Sequence, residues 1–270
     1  MAPSHAPVAG TLLVTRPQPQ ADEWVRSLRA RGVAAQALPL LRIEPVADPE
    51  AVAAWASLAS YRLLMFVSPG CVESFFALRP STSRWPANTL AAAPGPGTAQ
   101  ALRAAGVPAG AIVEPPADAP QFDSEALWQR LQVQPWQRQR VLVVRGDGGR
   151  DWLAQRLRER GAEVTFAQAY RRALPSLDAV QRSLLAAALA APAQHGWLFS
   201  SSQAAEHLNA LAPQIEWAEA RALATHPRIA ASLRALGALA VWEVRPTVDA
   251  VAALWTRSIQ STAPAQTQRR

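Results

Sequence analysis

Residues 12–46 read LLVTRPQPQADEWVRSLRARGVAAQALPLLRIEPV, and residues 141–175 read VLVVRGDGGRDWLAQRLRERGAEVTFAQAYRRALP. Each segment is typical of a strand, a turn, an amphipathic helix that ends at glycine, and a second strand. At a constant offset of 129 residues the two share identical residues: Arg16 with Arg145, Leu28 with Leu157, Arg29 with Arg158, Arg31 with Arg160 and Gly32 with Gly161. This internal repeat predicts two similar α/β domains, and the space between duplicated domains is the first place to expect a ligand.

The repeat continues beyond this pair of segments. Residues 65–69 match 198–202 at an offset of 133, and residues 96–106 match 227–237 at an offset of 131. The chain is therefore predicted to begin one domain, leave it near Leu41, build the other domain, and return near Pro175.

Short apolar runs bounded by Gly, Pro or polar turns predict strands that are buried on both faces of parallel sheets. Helical patterns lie between most of them, at 20–31, 70–78, 97–105, 124–132, 150–160, 177–189, 202–211, 228–236 and 248–258. This alternation predicts the α/β class, with two five-stranded parallel sheets flanked by helices.

The predicted domain boundaries follow from the repeat. The first domain is expected to contain residues 1–41 and 175–262, and the second residues 46–170. Residues 42–45 and 170–175 are predicted to be paired linker strands between them. The polar tail, residues 263–270, is predicted to be disordered.

Composition excludes several classes of protein. Half of the residues are hydrophobic, so the chain is globular, but no apolar run approaches the roughly 20 residues of a membrane helix. The first residues lack the basic and apolar regions of a signal peptide, so we expect a cytoplasmic protein without membrane contact. Cys71 is the single cysteine and the four histidines are scattered, so no metal site is expected. There is no lysine, which excludes Schiff-base chemistry and a phosphate-loop lysine.

The formal net charge is +7, carried by 27 arginines. Two interpretations stay open: a solvated surface in an arginine-rich composition, or attraction to a polyanionic ligand. Nucleic acid is not expected, because the arginines are dispersed and no aromatic-plus-basic recognition motif is present.

Four turns between a predicted strand and a predicted helix carry the candidate chemistry, since ligands of doubly wound sheets bind there. They are Val67-Ser68-Pro69-Gly70, Pro94-Gly95-Pro96-Gly97-Thr98, Arg145-Gly146-Asp147-Gly148-Gly149-Arg150 and Ser200-Ser201-Ser202. Hydroxyls and free helix N-terminal amides favour anions, and glycine permits close backbone approach. The alternatives are ordinary helix capping by serine and a tight turn at 145–150.

Together these segments resemble the uroporphyrinogen-III synthase family over residues 11–258. The resemblance rests on LLVTRP (12–17), FVSPGCVESFF (66–76), PGPGTAQALRAAGV (94–107), SEAL (124–127), VLVVRGDGGRDWLAQRL (141–157), Tyr170-Arg171-Arg172 and FSSSQAAEHL (199–208). It implies two flavodoxin-like domains joined by a two-stranded linker, with a cleft between them. It also implies a lyase that closes the linear tetrapyrrole hydroxymethylbilane, with loss of water and inversion of the last pyrrole ring, and that needs no cofactor.

The resemblance also assigns site residues. Tyr170 matches the tyrosine on the returning linker that is a candidate to assist departure of the hydroxyl, with linker packing as the alternative. The substrate carries acetates and propionates, so the predicted substrate-binding residues are cationic, hydroxylic or helix-initiating: Arg16, Ser68, Gly97, Thr98, Arg145, Gly146, Arg150, Ser200, Ser201, Pro227 and Arg228. For each arginine, surface solvation is an equal alternative.

Two departures from the family pattern affect individual contacts. The second Gly-Pro-x-Thr turn is here His226-Pro227-Arg228-Ile229, and a Thr-Ser pair is Val67-Ser68. They leave open a non-catalytic tetrapyrrole-binding or anion-binding sensory protein of the same fold. A flavodoxin-like redox protein is a second rival, but it predicts a phosphate loop that the sequence lacks. We expect a monomer, and transient contact with hydroxymethylbilane synthase is left open.

Overall fold

The computed structural model describes residues 10–46 and 48–261, with side chains as far as residue 257. The chain divides into two compact units. The first contains the chain up to Arg42 and from Ala173 onward, and we call it the split unit. The second contains Ile43–Arg172, and we call it the continuous unit. The predicted disordered tail, residues 263–270, lies outside the described residues.

The elements alternate along the chain as expected for an α/β protein. The strands are β1 (Thr11–Val14), β2 (Ala35–Ala37), β3 (Arg42–Pro45), β4 (Leu63–Phe66), β5 (Leu90–Ala92), β6 (Ile112–Val113), β7 (Arg140–Gly146), β8 (Glu163–Ala173), β9 (His195–Phe199), β10 (Arg221–Ala224) and β11 (Ala240–Glu243). The helices are α1 (Gln20–Arg29), α2 (Pro49–Ala56), α3 (Pro69–Ala77), α4 (Pro96–Ala104), α5 (Ser124–Leu131), α6 (Trp152–Glu159), α7 (Ala179–Ala190), α8 (Ser202–Leu211), α9 (Pro227–Ala235) and α10 (Val248–Ser261).

The split unit contains a five-stranded parallel sheet in the order β11-β10-β9-β1-β2. Numbered by chain order within the unit, this is the 2-1-3-4-5 arrangement of flavodoxin-like folds. Both faces of the sheet are covered: Leu13 of β1 belongs to one buried cluster, and Leu12 and Val14 belong to another. Alternate residues of a strand point to opposite faces, so this central strand reads as a continuous apolar run.

The continuous unit has six strands, in the order β3-β8-β7-β4-β5-β6, where the sequence predicted five. The five strands from β8 to β6 are parallel to their neighbours. The sixth arises because β8 continues for 11 residues into the predicted linker and β3 pairs beside it. The predicted linker strands are thus the edge of this sheet rather than a separate ribbon.

Five strands of each sheet lie in the same spatial order, although the chain forms them in a different succession in the two units. β2-β1-β9-β10-β11 corresponds to β8-β7-β4-β5-β6. In the sequence repeat, β1 corresponds to β7 at an offset of 129 residues, and β9 corresponds to β4 at an offset of 133. The strands that correspond in sequence therefore occupy matching positions in the two sheets. The ends of β1 and β9, and of β7 and β4, are therefore equivalent places. In folds of this order, ligands bind at that point, where the strand order reverses.

Several helices begin with proline, and α2, α3 and α9 also have a polar side chain that caps them. Proline occupies the first turn of α3, α4 and α9, where its missing N–H costs no hydrogen bond. The same signal begins α2, which the sequence reading missed: Asp48 accepts a hydrogen bond from the backbone N–H of Glu50, and Pro49 follows it. Among the described residues, the helices are too short or too polar to cross a bilayer.

Candidate functional site

The carboxyl ends of β4 and β7 lie side by side at the reversal point of the continuous unit. Ser68 follows β4 directly and caps α3, its Oγ accepting a hydrogen bond from the backbone N–H of Cys71 at 3.4 Å. Gly146 ends β7. Ser68 is half-buried, and its hydroxyl is held at the start of the helix.

Tyr170 lies on the neighbouring strand β8, and its hydroxyl meets Ser68. The two oxygens, Tyr170 Oη and Ser68 Oγ, are 3.0 Å apart, and the Nη2 of Arg172 donates to the same phenol oxygen at 3.3 Å. The guanidinium carbon of Arg172 also lies 5.6 Å from the centre of the Tyr170 ring. The tyrosine side chain is only 2% exposed, so its hydroxyl is held by protein partners rather than by water.

Gly146 explains how a tyrosine fits at this position. The pairing of β7 with β8 shifts register between Arg145 and Gly146, which places Gly146 opposite Tyr170. A Cβ on Gly146 would lie 2.5 Å from a ring carbon of Tyr170, closer than any side chain permits. Gly146 was predicted to bind substrate; the structure instead buries it behind the tyrosine ring, and its lack of a side chain makes room for that ring.

The electrostatics of this cluster keep the phenol protonated. Burial raises the pKa of Tyr170 and the nearby Cys71 adds to this, while Arg172 and the hydrogen bond to Ser68 act in the opposite direction. Burial also raises the pKa of the Cys71 thiol, which is 0% exposed. At neutral pH the phenol is therefore a hydrogen-bond donor and the thiol is neutral.

The two arginines that flank the turn after β7 already have carboxylate partners. Arg145 pairs with Asp151 at 2.5 Å and lies 4.1 Å over the ring of Phe166. Arg150 makes two hydrogen bonds to Glu125, and these raise its pKa. Both were predicted to hold substrate carboxylates, and in this structure they would have to exchange protein partners to do so.

The turn after β5 initiates α4 without a side-chain cap, since Gly95 occupies the capping position. Gly97 is exposed, and a Cβ there would lie 3.7 Å from Pro69 at the start of α3, so the two helix N-termini are neighbours. Thr98 was predicted to present its hydroxyl to a ligand. The structure places it at the third position of α4 and buries it at 4% exposure.

In the split unit the equivalent turn after β1 presents Arg16. Its guanidinium lies 4.2 Å over the ring of Trp24 in α1, and burial lowers its pKa to about 10. Among the described residues, its Nε is buried and has no hydrogen-bond partner. The neighbouring Thr15 is satisfied, because its hydroxyl donates to the carbonyl of Leu198. Arg16 is thus a largely desolvated cation that stacks on Trp24 and has a buried Nε without a partner in the described part of the chain.

Ser200 and Ser201 follow β9 at the start of α8 and are half-buried. Ser201 occupies the capping position, but its hydroxyl makes no capping hydrogen bond, in contrast to Ser68. The hydroxyl of Ser202 is engaged within the unit, since it accepts from Ser232 at 3.0 Å.

After β10, Pro227 begins α9 and Arg228 is exposed. His226, which stands where the family pattern has glycine, caps the helix itself: its Nδ1 accepts from the backbone N–H of Arg228 at 3.1 Å. The sequence reading treated this histidine only as a loss. The residue before a proline that begins a helix is a capping position, so the sequence could have predicted this role for His226.

The structure therefore brings Ser68, Gly146 and Tyr170 together, and it adds two residues that sequence reasoning missed. These are Arg172 and Cys71. Arg172 lies two residues after Tyr170 on one strand, a spacing that places both on the same face, so the strand period could have revealed it. Among the described residues, His, Cys, Asp and Glu form no group of three that could hold a metal ion.

Comparison with known proteins agrees with this geometry. The family model described as uroporphyrinogen-III synthase HemD matches residues 22–253. The uroporphyrinogen-III synthase of Escherichia coli (strain K12) is 33% identical over 178 residues, which cover 64% of this chain and 70% of that protein. That of Salmonella typhimurium (strain LT2) is 32% identical over 176 residues, with the same coverage of 64% and 70%.

Two solved structures have the same fold. A mutant uroporphyrinogen III synthase from the extremely thermophilic bacterium Thermus thermophilus has a TM-score of 0.57 at 20% identity, covering 94% of this chain and 100% of that one. The uroporphyrinogen-III synthetase of Helicobacter pylori 26695 has a TM-score of 0.53 at 16% identity, covering 92% and 99%. The fold, the order of the polar turns and the match over most of its length show that this chain belongs to the uroporphyrinogen-III synthase family.

Proposed function

We propose that this protein closes hydroxymethylbilane to uroporphyrinogen III, with loss of water and inversion of the terminal pyrrole ring. This is a hydro-lyase reaction that ends in cyclisation. The observation that carries the proposal is the family match over residues 22–253, combined with the contact between buried Tyr170 and half-buried Ser68 near the strand ends where ligands of this fold bind. The proposed reaction has no net oxidation, so it requires no redox cofactor.

The proton chemistry is assigned to the continuous unit. The substrate's pyrrole nitrogen expels the hydroxyl, and a protonated donor beside the departing oxygen lowers the barrier. Tyr170 is the acid of the proposal, because its raised pKa keeps the phenol protonated at neutral pH. Ser68 is half-buried whereas Tyr170 is buried, so we assign contact with the substrate to Ser68.

Anion binding is assigned first to Arg16 of the split unit. The substrate's acetates and propionates need donors that are not already paired, and Arg16 has a buried Nε without a partner in the described part of the chain. A desolvated guanidinium gains more from a carboxylate than a hydrated one does. Ser200, Ser201, Pro227 and Arg228 at the adjacent strand ends, and Gly97 at the start of α4, are proposed as further contacts through hydroxyls, side-chain charge and helix N-terminal amides.

The proposal extends to the protein's surroundings. We propose a monomer that acts in the cytoplasm and takes hydroxymethylbilane directly or through brief contact with hydroxymethylbilane synthase. The large hydrophobic side chains that are exposed among the described residues are dispersed along the chain, which favours a monomer: Val52, Val133, Leu174, Val180 and Leu239.

One experiment tests the function. Purified protein is supplied with hydroxymethylbilane, the product is oxidised to porphyrin, and the type I and type III isomers are separated by chromatography. The type III isomer is expected in excess, whereas spontaneous closure without inversion gives the type I isomer. If only the type I isomer forms, at the rate seen without protein, the synthase assignment fails. Tight binding of hydroxymethylbilane without turnover would then identify a tetrapyrrole-binding protein.

A further inference from the structure

In the hydrogen bonds around Tyr170, the donors point toward Ser68. An arginine guanidinium can only donate, so the contact from Arg172 Nη2 uses a lone pair of the phenol oxygen. The phenol proton then has two acceptors, Ser68 Oγ at 3.0 Å and the Cys71 thiol, and the hydroxyl oxygen is the stronger of the two. Ser68 in turn accepts from the backbone N–H of Cys71. Arg172, Tyr170 and Ser68 thus form a chain whose protons all point toward the serine.

The chain leads from a buried tyrosine to a half-buried serine. Tyr170 is 2% exposed and backed by Gly146, whereas Ser68 is half-buried at the start of α3. The Ser68 hydroxyl hydrogen has a weak acceptor in Cys71, whose Sγ lies 3.5 Å from Ser68 Oγ. A stronger acceptor arriving at the serine, such as a departing oxygen of a substrate, would take this hydrogen instead.

We infer that Arg172 is a positioning residue that orients the Tyr170 proton toward Ser68, and that Ser68 relays this proton to the substrate. The inference deepens the proposed function and rests on it. It assigns the contact with the leaving hydroxyl to the serine rather than to the tyrosine, and it gives the arginine a role through the tyrosine.

The protons balance over one turnover. As the substrate C–O bond breaks, the hydroxyl leaves as water with the proton of Ser68, and Ser68 takes the proton of Tyr170. The resulting phenolate is stabilised by the Arg172 guanidinium. Ring closure releases one proton from the pyrrole carbon that forms the new bond, and this proton restores the phenol through the same serine.

Among the described residues, two titratable groups act on the phenol. Cys71 faces it from α3 and Arg172 from β8. Asp147, in the turn after β7, accepts a hydrogen bond from the backbone N–H of Arg172 at 3.0 Å and so holds this end of the strand. Arg171 is exposed and its guanidinium pairs with Glu44 at 2.7 Å, which makes it a matched control with the same charge on the same strand.

The test compares Arg172→Gln, Arg172→Lys and Arg171→Gln with the wild type. The protein is labelled with 3-fluorotyrosine, whose phenol is more acidic than that of tyrosine, and the two tyrosine signals are followed by ¹⁹F NMR across a pH titration. The Tyr61→Phe variant assigns them. Arg172→Gln should raise the midpoint of Tyr170, Arg172→Lys should restore most of the shift, and Arg171→Gln should leave it unchanged. This titration needs no substrate, so it stands whether or not the protein is a synthase.

Kinetics test the relay. With hydroxymethylbilane, Arg172→Gln should lower kcat roughly tenfold and Ser68→Ala by a similar factor, less than the roughly 10²–10⁴-fold of a complete general acid because the phenol itself is retained. KM should change little for Arg172→Gln, since the arginine is not in contact with substrate, and Arg172→Lys should recover kcat. Equal losses in Arg172→Gln and Arg171→Gln, an unmoved Tyr170 midpoint, or full activity in Ser68→Ala would each overturn the inference. Absence of type III product from the wild type, with the Tyr170 midpoint shifted as expected, would overturn the proposed function and the relay to substrate, and would leave only the orientation of the Tyr170 proton by Arg172.

Discussion

The split and continuous units have one sheet order but different chemistry at equivalent strand ends. At the offset of 129, Arg145 corresponds to Arg16, Gly146 to Pro17 and Tyr170 to Leu41. Arg145 is neutralised by Asp151, whereas Arg16 stacks on Trp24 and keeps a buried Nε without a partner in the described chain. The continuous unit carries a proton donor, and the split unit carries a desolvated cation.

The serines show the same division. Ser68 and Ser201 correspond at the offset of 133, and both precede a helix. Ser68 caps α3 and meets Tyr170, while Ser201 makes no capping hydrogen bond and its unit has Leu41, not tyrosine, in the matching position. The two units thus share one scaffold and differ at the strand ends, and the proposed function gives them different tasks. The following experiments ask how independent the two units and the two tasks are.

The largest expected effect concerns folding of the units by themselves. Residues 42–173 contain all six strands of one sheet, so this fragment should unfold cooperatively, as a single domain does. Residues 1–140 should not, because they lack β9 to β11 of one sheet and β8 with nearly all of β7 of the other. Urea unfolding followed by circular dichroism measures both. A cooperative transition in the 1–140 fragment would contradict this division of the chain.

The next effect concerns the space behind Tyr170. Gly146→Ala should destabilise the protein by about 1–3 kcal/mol and remove most activity, because the new Cβ meets the tyrosine ring. Gly110→Ala is the control in the same unit, since a Cβ there meets nothing within 4 Å. Thermal unfolding compares the two variants. Equal stability of both would mean that the ring moves aside without strain.

The sequence predicted the framework better than the contacts. The repeats revealed which strands correspond because hydrophobic and glycine positions are set by local packing needs. Residues 42–45 were predicted to be a strand paired with 170–175, but not to extend the sheet, because that depends on how far β8 extends and no local pattern specifies it. The burial of Tyr170 likewise depends on a register shift at Gly146, a long-range feature of the sheet. The partners of Arg145 and Arg150 are six and 25 residues away, so only the folded chain shows that they are occupied.

Removal of the phenol tests the task of the continuous unit. Tyr170→Phe should lower kcat by roughly ten- to a hundredfold, since a positioned general acid contributes within or above this range. The isomer formed should stay type III, because inversion is controlled by how the substrate is held. Steady-state kinetics with isomer analysis measure both quantities. Wild-type turnover in this variant would remove Tyr170 from the proposed mechanism.

Removal of the cation tests the task of the split unit. Arg16→Met keeps an aliphatic contact with Trp24 but loses the charge, so KM should rise about tenfold, as expected for one hydrogen bond to a charged group. Arg145→Met should have a smaller effect on KM, because Asp151 already pairs with that arginine. KM should also rise with salt in the wild type and less so in Arg16→Met. A larger loss of binding in Arg145→Met would reverse the assignment of the two arginines.

The smallest expected effects concern the pH dependence of stability. Tyr170 in the continuous unit and Arg16 in the split unit should change the free energy of unfolding in opposite directions as the pH rises. Burial raises the pKa of Tyr170 above its usual value of about 10, so on raising the pH the unfolded chain loses this proton first. The stability contributed by the protonated phenol is present below pH 10 and is lost as the pH rises toward the folded pKa. Arg16 behaves in the opposite way: burial lowers its pKa to about 10, the folded protein loses that proton first, and stability increases with pH above this value.

Two variants separate these contributions. Relative to the wild type, Tyr170→Phe should show a shallower loss of stability above pH 10, and Arg16→Met should show a steeper one, because each removes one of the opposing terms. The free energy of unfolding in urea, measured between pH 8 and pH 11, gives both differences. Tyr61→Phe supplies a control for tyrosine removal in general, since Tyr61 is buried but contacts Arg140 rather than the Ser68 cluster. Changes of the same sign in Tyr170→Phe and Arg16→Met would show that the two buried groups are not in the contrasting environments described for the two units.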